Sequence, residues 1–424
     1  MNDKEGVGSG PGTFLKAKRE AKVRWLNTII ILIIGGFALI FFISCSRQPS
    51  QVETAVAVPT ITPERFIPTR TAVVQDMEER ASSSSESATP VEFGTSEPSL
   101  SSIQVSESSV VEELPGEGII SDLSRFGVTG GIEAAKMAYD AGMPFFQLLN
   151  WHVVIEPPEQ GYIFWQMVRL GEEGIRDTNW DQMEKAVEAN PGSYWLVGNE
   201  PDVKWQDNVT PERYAELYHE VYAFIKERDP SAQLVIGGVS QPTPLRRAYL
   251  DIVLDSYQAK FGQPMPIDIW NVHAFTLREE VDSWGVGIPP GMEGQTGILY
   301  EIEDHNDVAI LRQNLIDFRK WMSERGYGDK PLVISEYGIL MPEDYGFPTE
   351  VLGKYLTETF DLFLTETNET GYTPDGDRLV QWWFWYIVYE PDYYPTGSLY
   401  DVPEGRLTPL GEIWTEYLEG FSAK

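Results

Sequence analysis

Two glutamates stand out for what precedes them. Glu200 closes the stretch WLVGNEP, and Glu336 closes LVISEYG. Each follows an unbroken apolar run, where a carboxylate without a partner is costly to bury. Each is therefore expected where the chain emerges from a core. Two carboxyls facing one another across a cleft can break an acetal. One protonates the leaving oxygen while the other attacks the anomeric carbon from the opposite face, and the retaining version sets them about 5–5.5 Å apart. Taken alone, either glutamate equally suits a surface salt bridge or a helix cap. The two together, 136 residues apart and each ending an apolar run, point to chemistry.

The elements that must position them begin near residue 116, where short apolar runs start to alternate with amphipathic stretches of ten to twenty residues. That is the pattern of β-α units around a parallel sheet. Strands are predicted at 122–128, 144–150, 162–169, 193–199, 233–239, 267–273, 331–336 and 379–387. Helices are predicted at 131–141, 179–189, 211–228, 245–260, 307–325 and 349–365, with an irregular connection between the second and third strands. Eight strands with helices between most of them suit an α/β (β/α)8 TIM barrel. A doubly wound open sheet uses the same units, but no GxGxxG or Walker loop is present to support a nucleotide fold. In a barrel the active site lies at the C-terminal ends of the strands. Asn199 and Glu200 end the fourth strand, and Glu336 ends the seventh.

The segments WLVGNEPD, WNVHAF and ISEYG together resemble the clan A glycoside hydrolases. Within that clan they are similar to the glycoside hydrolase catalytic core family, which includes short β-1,3-glucanases. The resemblance spans roughly residues 116–420, and family thirty-nine-type and family five-type enzymes share parts of it. It implies that Glu200 is the acid/base and Glu336 the nucleophile, with Glu200 raised in pKa by a less polar surround and by the negative Glu336. It also implies that Asn199 binds the sugar 2-hydroxyl and that Trp385 forms a floor beneath the reacting sugar. His273 would bond Glu336 or a sugar hydroxyl, though a histidine ending a strand is as often a structural donor. Ala274 stands where the family usually has an aromatic residue after that histidine, which blurs the substrate.

Strand alternation puts Trp383 and Trp385 on one face and Trp382 and Phe384 on the other, one pair toward the barrel and one under helices. Asn150, Trp151 and His152 after the second strand, and Arg169 at the end of the third, fit the cleft rim. Trp205 and Trp284 on later loops suit outer sugar subsites or hydrophobic plugs. Asp202 could tune Glu200 or cap the turn that follows it, and the cap is the favoured reading.

A formal net charge of −33 repels nucleic acid and anionic polymers but not a neutral one. The 13 Trp and 20 Tyr suit either a well-filled core or stacking on sugar faces. Four histidines, none in HxH or HExxH spacing, argue against a metal site, and no cofactor motif is present. Residues 1–24 end in a basic cluster, and 25–45 form an apolar run about long enough to span a bilayer. With the N-terminus cytoplasmic, the rest is exported and tethered. FISC at 42–45 resembles a lipoprotein box, in which the lone Cys45 would carry lipid instead. Residues 46–115, rich in Ser, Thr, Pro and Glu, read as a disordered stalk, and 116–424 as the catalytic domain. The expected protein is a monomeric retaining hydrolase of a neutral β-glycan at the outer face of a cell membrane. A catalytically silent glycan-binding barrel and a transglycosylase are the alternatives, since neither needs a different residue set.

Overall fold

A computed structural model describes residues 122–158, 160–392 and 395–422. The apolar run at 25–45, Cys45 and the stretch at 46–115 lie outside the described residues. No helix among the described residues is long and apolar enough to cross a membrane.

Eight parallel strands build the centre: β1 (Phe126–Thr129), β2 (Gln147–Leu149), β3 (Ile163–Gly171), β4 (Tyr194–Asn199), β5 (Gln233–Gly238), β6 (Trp270–His273), β7 (Leu332–Tyr337) and β8 (Trp382–Trp385). Their order is β5-β4-β3-β2-β1-β8-β7-β6. The seam between β5 and β6 is crossed by parallel bridges from Val235 to Ile269 and from Val239 to Val272. The result is a nearly closed barrel. All eight strands fall where the sequence pattern predicts them, within a few residues.

Helices α1 (Ile132–Asp140), α2 (Trp180–Ala189), α3 (Pro211–Arg228), α4 (Pro244–Phe261), α5 (Val308–Glu324), α6 (Thr349–Thr365) and α7 (Pro409–Ser422) return the chain between strands or follow the last one. Their ends are written in local chemistry. Asn179 accepts from the Gln182 amide to cap α2, and Asp307 accepts from the Ala309 amide to cap α5. Prolines occupy the first turn of α3 and α4, where a missing N–H costs nothing. Gly262 ends α4 in the left-handed conformation that glycine adopts freely. Helix α7 was not among the six read from the sequence. Its indole Trp414 packs edge-on against Phe126 and Phe360 and donates to the Pro144 carbonyl, covering the β1 side of the barrel. Among the described residues no helix joins β2 to β3, in keeping with the irregular connection expected there.

The core has two layers. Leu149, Trp165, Met167, Leu196, Val235, Ile269, Val333 and Phe384 fill the barrel interior. Trp195, Trp270, Trp383 and Trp385 point the other way, into the larger layer shared with the helices. At the N-terminal end of the barrel two buried cations tie the elements that lead into β1 and β8: Arg125 donates to both Asp375 oxygens, and Arg319 to the Leu379 carbonyl and Gln381.

Candidate active site

At the C-terminal mouth of the barrel lies a cleft of about 570 Å³, with Glu200 and Glu336 among the residues that line it. Two departures from regular strand geometry aim them there. Glu200 sits just past β4 with a positive φ of 43°, and its N–H donates to the Gly238 carbonyl at 2.9 Å. A non-glycine residue held in this left-handed region costs on the order of 1–3 kcal/mol and persists only where its surroundings fix it. Glu336 is aimed by a bulge. Along β7, Ile334 pairs with Trp383 and Tyr337 with Trp385, so β7 has one more residue than β8 over this step. On the other edge, Val272 pairs with Ile334 and His273 with Glu336. Ile334 faces the helices, and regular alternation would send Glu336 after it. The extra residue turns the carboxyl into the mouth instead.

His273 stands between the two carboxyls, fully buried. Its Nδ1 lies 2.9 Å from Glu200 Oε1 and 3.6 Å from Glu336 Oε2. Nε2 has no partner among the described residues, so the ring hydrogen belongs on Nδ1, where acceptors are present. The ring rests on Gly238, where a Cβ would come within 2.6 Å of Cδ2. Trp151 donates its indole N–H to Glu336 Oε1 at 2.7 Å.

Burial pushes the Glu336 carboxyl above its usual range. His273, the Trp151 donor and Arg169 pull it back, and Glu200 pushes it further up. Burial works against the His273 imidazolium, but Glu336 and Glu200, with Asp202 beyond them, hold its pKa above the ordinary value.

Of the residues singled out in the sequence, Asn199, Glu200, Trp151, Arg169, Trp205, Trp284 and Glu336 line the cleft. Asn199 gives its backbone N–H to Asp207 and approaches Gln206 through Nδ2 at 3.4 Å, and its Oδ1 has no partner among the described residues. Trp205 is 78% exposed at the rim, with the Lys204 ammonium 4.8 Å above the ring. His273 lies behind the carboxyls rather than in the cleft wall.

Three placements differ from expectation. Trp385 is fully buried under the helices, edge-on to Tyr337, with its N–H on the Gly397 carbonyl. It is not a floor for a sugar. Alternation was right about the two faces, but Phe384 and Trp382 took the barrel side. The next residue, Tyr386, lines the cleft instead, with its ring 6.0 Å from Trp151 and 6.1 Å from Phe275. Asn150 is also buried, donating to the Gly130 carbonyl, and does not line the cleft. Asp202 is no surface cap. It is fully buried, accepts from Ser240 and pairs with Arg246 at 3.0 Å.

Glu200, His273 and Glu336 each bring one ligand atom within 4.8 Å of the others, close enough for a cation to bridge. With the hydrogen on Nδ1, the imidazole nitrogen that faces the carboxyls is a donor to them, so the set holds a shared proton network rather than three open ligands.

The family model described as glycosyl hydrolase catalytic core matches residues 150–284, about a third of the chain and the part that runs from the end of β2 to the loop after β6. Over those residues the chain resembles that family. Among solved structures it is similar to a GH128 (subgroup II) endo-β-1,3-glucanase from Pseudomonas viridiflava, with 19% identity, TM-score 0.47, and coverage of 69% of this chain and 96% of that one. It is also similar to a GH128 (subgroup III) curdlan-specific exo-β-1,3-glucanase from Blastomyces gilchristii, at 17% identity and TM-score 0.48, covering 70% and 99%. A GH128 (subgroup VII) oligosaccharide-binding protein from Cryptococcus neoformans gives 14% identity and TM-score 0.47, covering 72% and 98%. No curated protein matches the chain.

Proposed function

We propose that this chain is a retaining glycoside hydrolase of a neutral β-glycan, with β-1,3-glucan the leading substrate, Glu200 the acid/base and Glu336 the nucleophile. The observation that carries this reading is the approach of the two carboxyls. A Glu200 oxygen and a Glu336 oxygen come within 4.8 Å at the base of an open cleft. Inverting enzymes need roughly 6.5–9.5 Å to seat a water between the two groups, and retaining ones about 5–5.5 Å.

In the first step Glu336 attacks the anomeric carbon and loses its charge into an ester, while Glu200 gives its proton to the leaving oxygen. Glu200 is then ionised and removes a proton from the water that cleaves the ester. His273, hydrogen-bonded to Glu200 and close to Glu336, keeps the two from repelling one another. Trp151 fixes the attacking oxygens of Glu336. Asn199 Oδ1, without a protein partner, suits the sugar 2-hydroxyl, a contact that strengthens as the oxocarbenium-like state forms. Trp205, Trp284 and Tyr386 offer rings to sugar faces, and the acidic surface does not oppose an uncharged polymer. The substrate linkage rests on the motif resemblance.

The test is turnover by the full chain on β-1,3-, β-1,4- and mixed-linkage glucans, xylan and mannan, beside Glu336→Gln. Product release that falls at least about a thousandfold in the variant supports the reading. A product of the same anomeric configuration as the substrate fixes retention. Products longer than the input oligosaccharide would make it a transglycosylase, and glycan binding without turnover a silent binding barrel. We further propose that residues 25–45 hold the domain at the outer face of a membrane. Fractionation of cells expressing the chain with and without Cys45→Ser tests this, and a soluble chain in both would reject it.

A further inference from the structure

Behind the Glu200 turn lies a buried charge cluster that touches the catalytic groups only through Asp202. Arg246, on α4, is fully buried. Its Nε lies 3.0 Å from Asp202 Oδ2, 3.2 Å from Ser240 Oγ and 3.4 Å from Glu279 Oε1. Its Nη2 donates to the carbonyls of Val286, at 3.4 Å, and Gly287, at 3.0 Å. Asp202 follows Glu200 by two residues and accepts from the Ser240 amide and hydroxyl. Glu279 accepts from Thr243 Oγ1 and from the Ile298 amide, while its own amide donates to the Ile298 carbonyl. One guanidinium therefore joins three places: the turn that carries Glu200, the neck of the long loop between β6 and α5, and the middle of that loop. Trp284, Gly285 and Val286 in that middle line the cleft.

Burying one cation between two anions is expensive and rarely a net gain in stability over an apolar packing. Phe275, Leu277 and Val286 of this loop pack with Val203 just past the Glu200 turn, while Val281 and Leu299 are 65% and 52% exposed.

We propose that Arg246 is a positioning residue that fixes the Trp284 wall of the cleft and the Glu200 turn in one frame, so that the sugar-holding wall and the acid/base are set together. Asp202 is the arm toward the chemistry and Glu279 the arm toward the wall. The two arms have separate signatures. Glu279→Gln weakens the neck of the loop, so KM for oligosaccharides rises about five- to tenfold with kcat within twofold. Asp202→Asn loosens the Glu200 turn, so kcat falls about tenfold with KM within twofold. Arg246→Met does both, and combining it with either single change adds less than the sum of the separate effects.

These kinetic arms rest on the hydrolase reading. Amide exchange does not: residues 278–298 should exchange at least about tenfold faster in Glu279→Gln and Arg246→Met than in the wild type, with β4 protection unchanged. Unequal arms together with faster loop exchange support the proposal. Equal losses in kcat and KM from both acids, or unchanged loop exchange in folded variants, overturn it. Absence of wild-type turnover on every glycan rejects the hydrolase reading, and exchange alone then decides whether Arg246 holds the loop. Should Arg246→Met fail to fold, the two isosteric acid variants carry the test.

Discussion

Replacing Trp151 with phenylalanine removes one hydrogen bond and keeps an aromatic ring against Tyr386. The bond is charge-assisted, 2.7 Å long and partly shielded from water. Bonds to ionised groups contribute about 1.5–3 kcal/mol, and one pKa unit is about 1.36 kcal/mol, so losing the donor should raise the Glu336 pKa by roughly one to two units. The sign follows from the role. A donor favours the carboxylate over the acid, and the nucleophile must be ionised to attack. Without the donor, a larger share of Glu336 is protonated at any acidic pH. The acid limb of kcat/KM should therefore move one to two units toward higher pH, while the basic limb stays within about 0.3 unit. The assay is initial rates on a soluble oligosaccharide from pH 4 to pH 9. A uniformly lower profile with both limbs in place would refute the argument, because it would show Trp151 acting through sugar contact or packing alone.

Three other outcomes follow from the same geometry. Glu336→Gln should raise the thermal midpoint at pH 7 while abolishing turnover: a carboxyl whose folded pKa lies above its unfolded value loses stability as pH rises, and the amide removes that loss. Calorimetry of the two proteins at pH 7 checks it. Gly238→Ala should cut kcat/KM by more than about tenfold, since the new Cβ would meet the His273 ring at 2.6 Å, and a crystal structure of the variant should show the imidazole displaced. His305 is buried, with Nδ1 on the Thr276 carbonyl and Nε2 accepting from the Leu340 amide, and burial lowers its pKa to about 4. Its stabilising contribution is complete above pH 6.5 and lost as pH falls toward 4, on the order of 3 kcal/mol at about 1.36 kcal/mol per unit. Denaturant midpoints of the wild type and His305→Gln should differ most at neutral pH and converge at pH 4.

The barrel was legible because its strands are short apolar runs spaced by amphipathic helices, and neither signal depends on long-range contact. Both glutamates were legible because a carboxylate after such a run has few places to go. What alternation could not decide was which face turned inward. Trp385 was placed on the wrong side because Phe384 and Trp382 also suit a barrel interior. A signal was present in β1, where Gly127 sits between Phe126 and Val128. A Cβ on Gly127 would come within 2.6 Å of the Phe384 ring, so the small residue marks the inward face and its neighbours the outward one. The bulge that aims Glu336 left no mark in composition, because it is set by the pairing of β7 with two other strands at once. Asp202 looked like a cap because its partner, Arg246, lies 44 residues away on a helix that the spacing alone does not bring near.

The left-handed backbone at Glu200 also bears on how this chain would drift if only its fold were selected. Glycine and asparagine occupy that conformation with far less strain than glutamate. Under a screen for solubility or heat resistance alone, position 200 should fill with those two residues within a few rounds. Only a screen that rewards cleavage should hold the glutamate in place. The codon spectrum at a single position would then report whether a population of variants has been kept for its activity or merely for its shape.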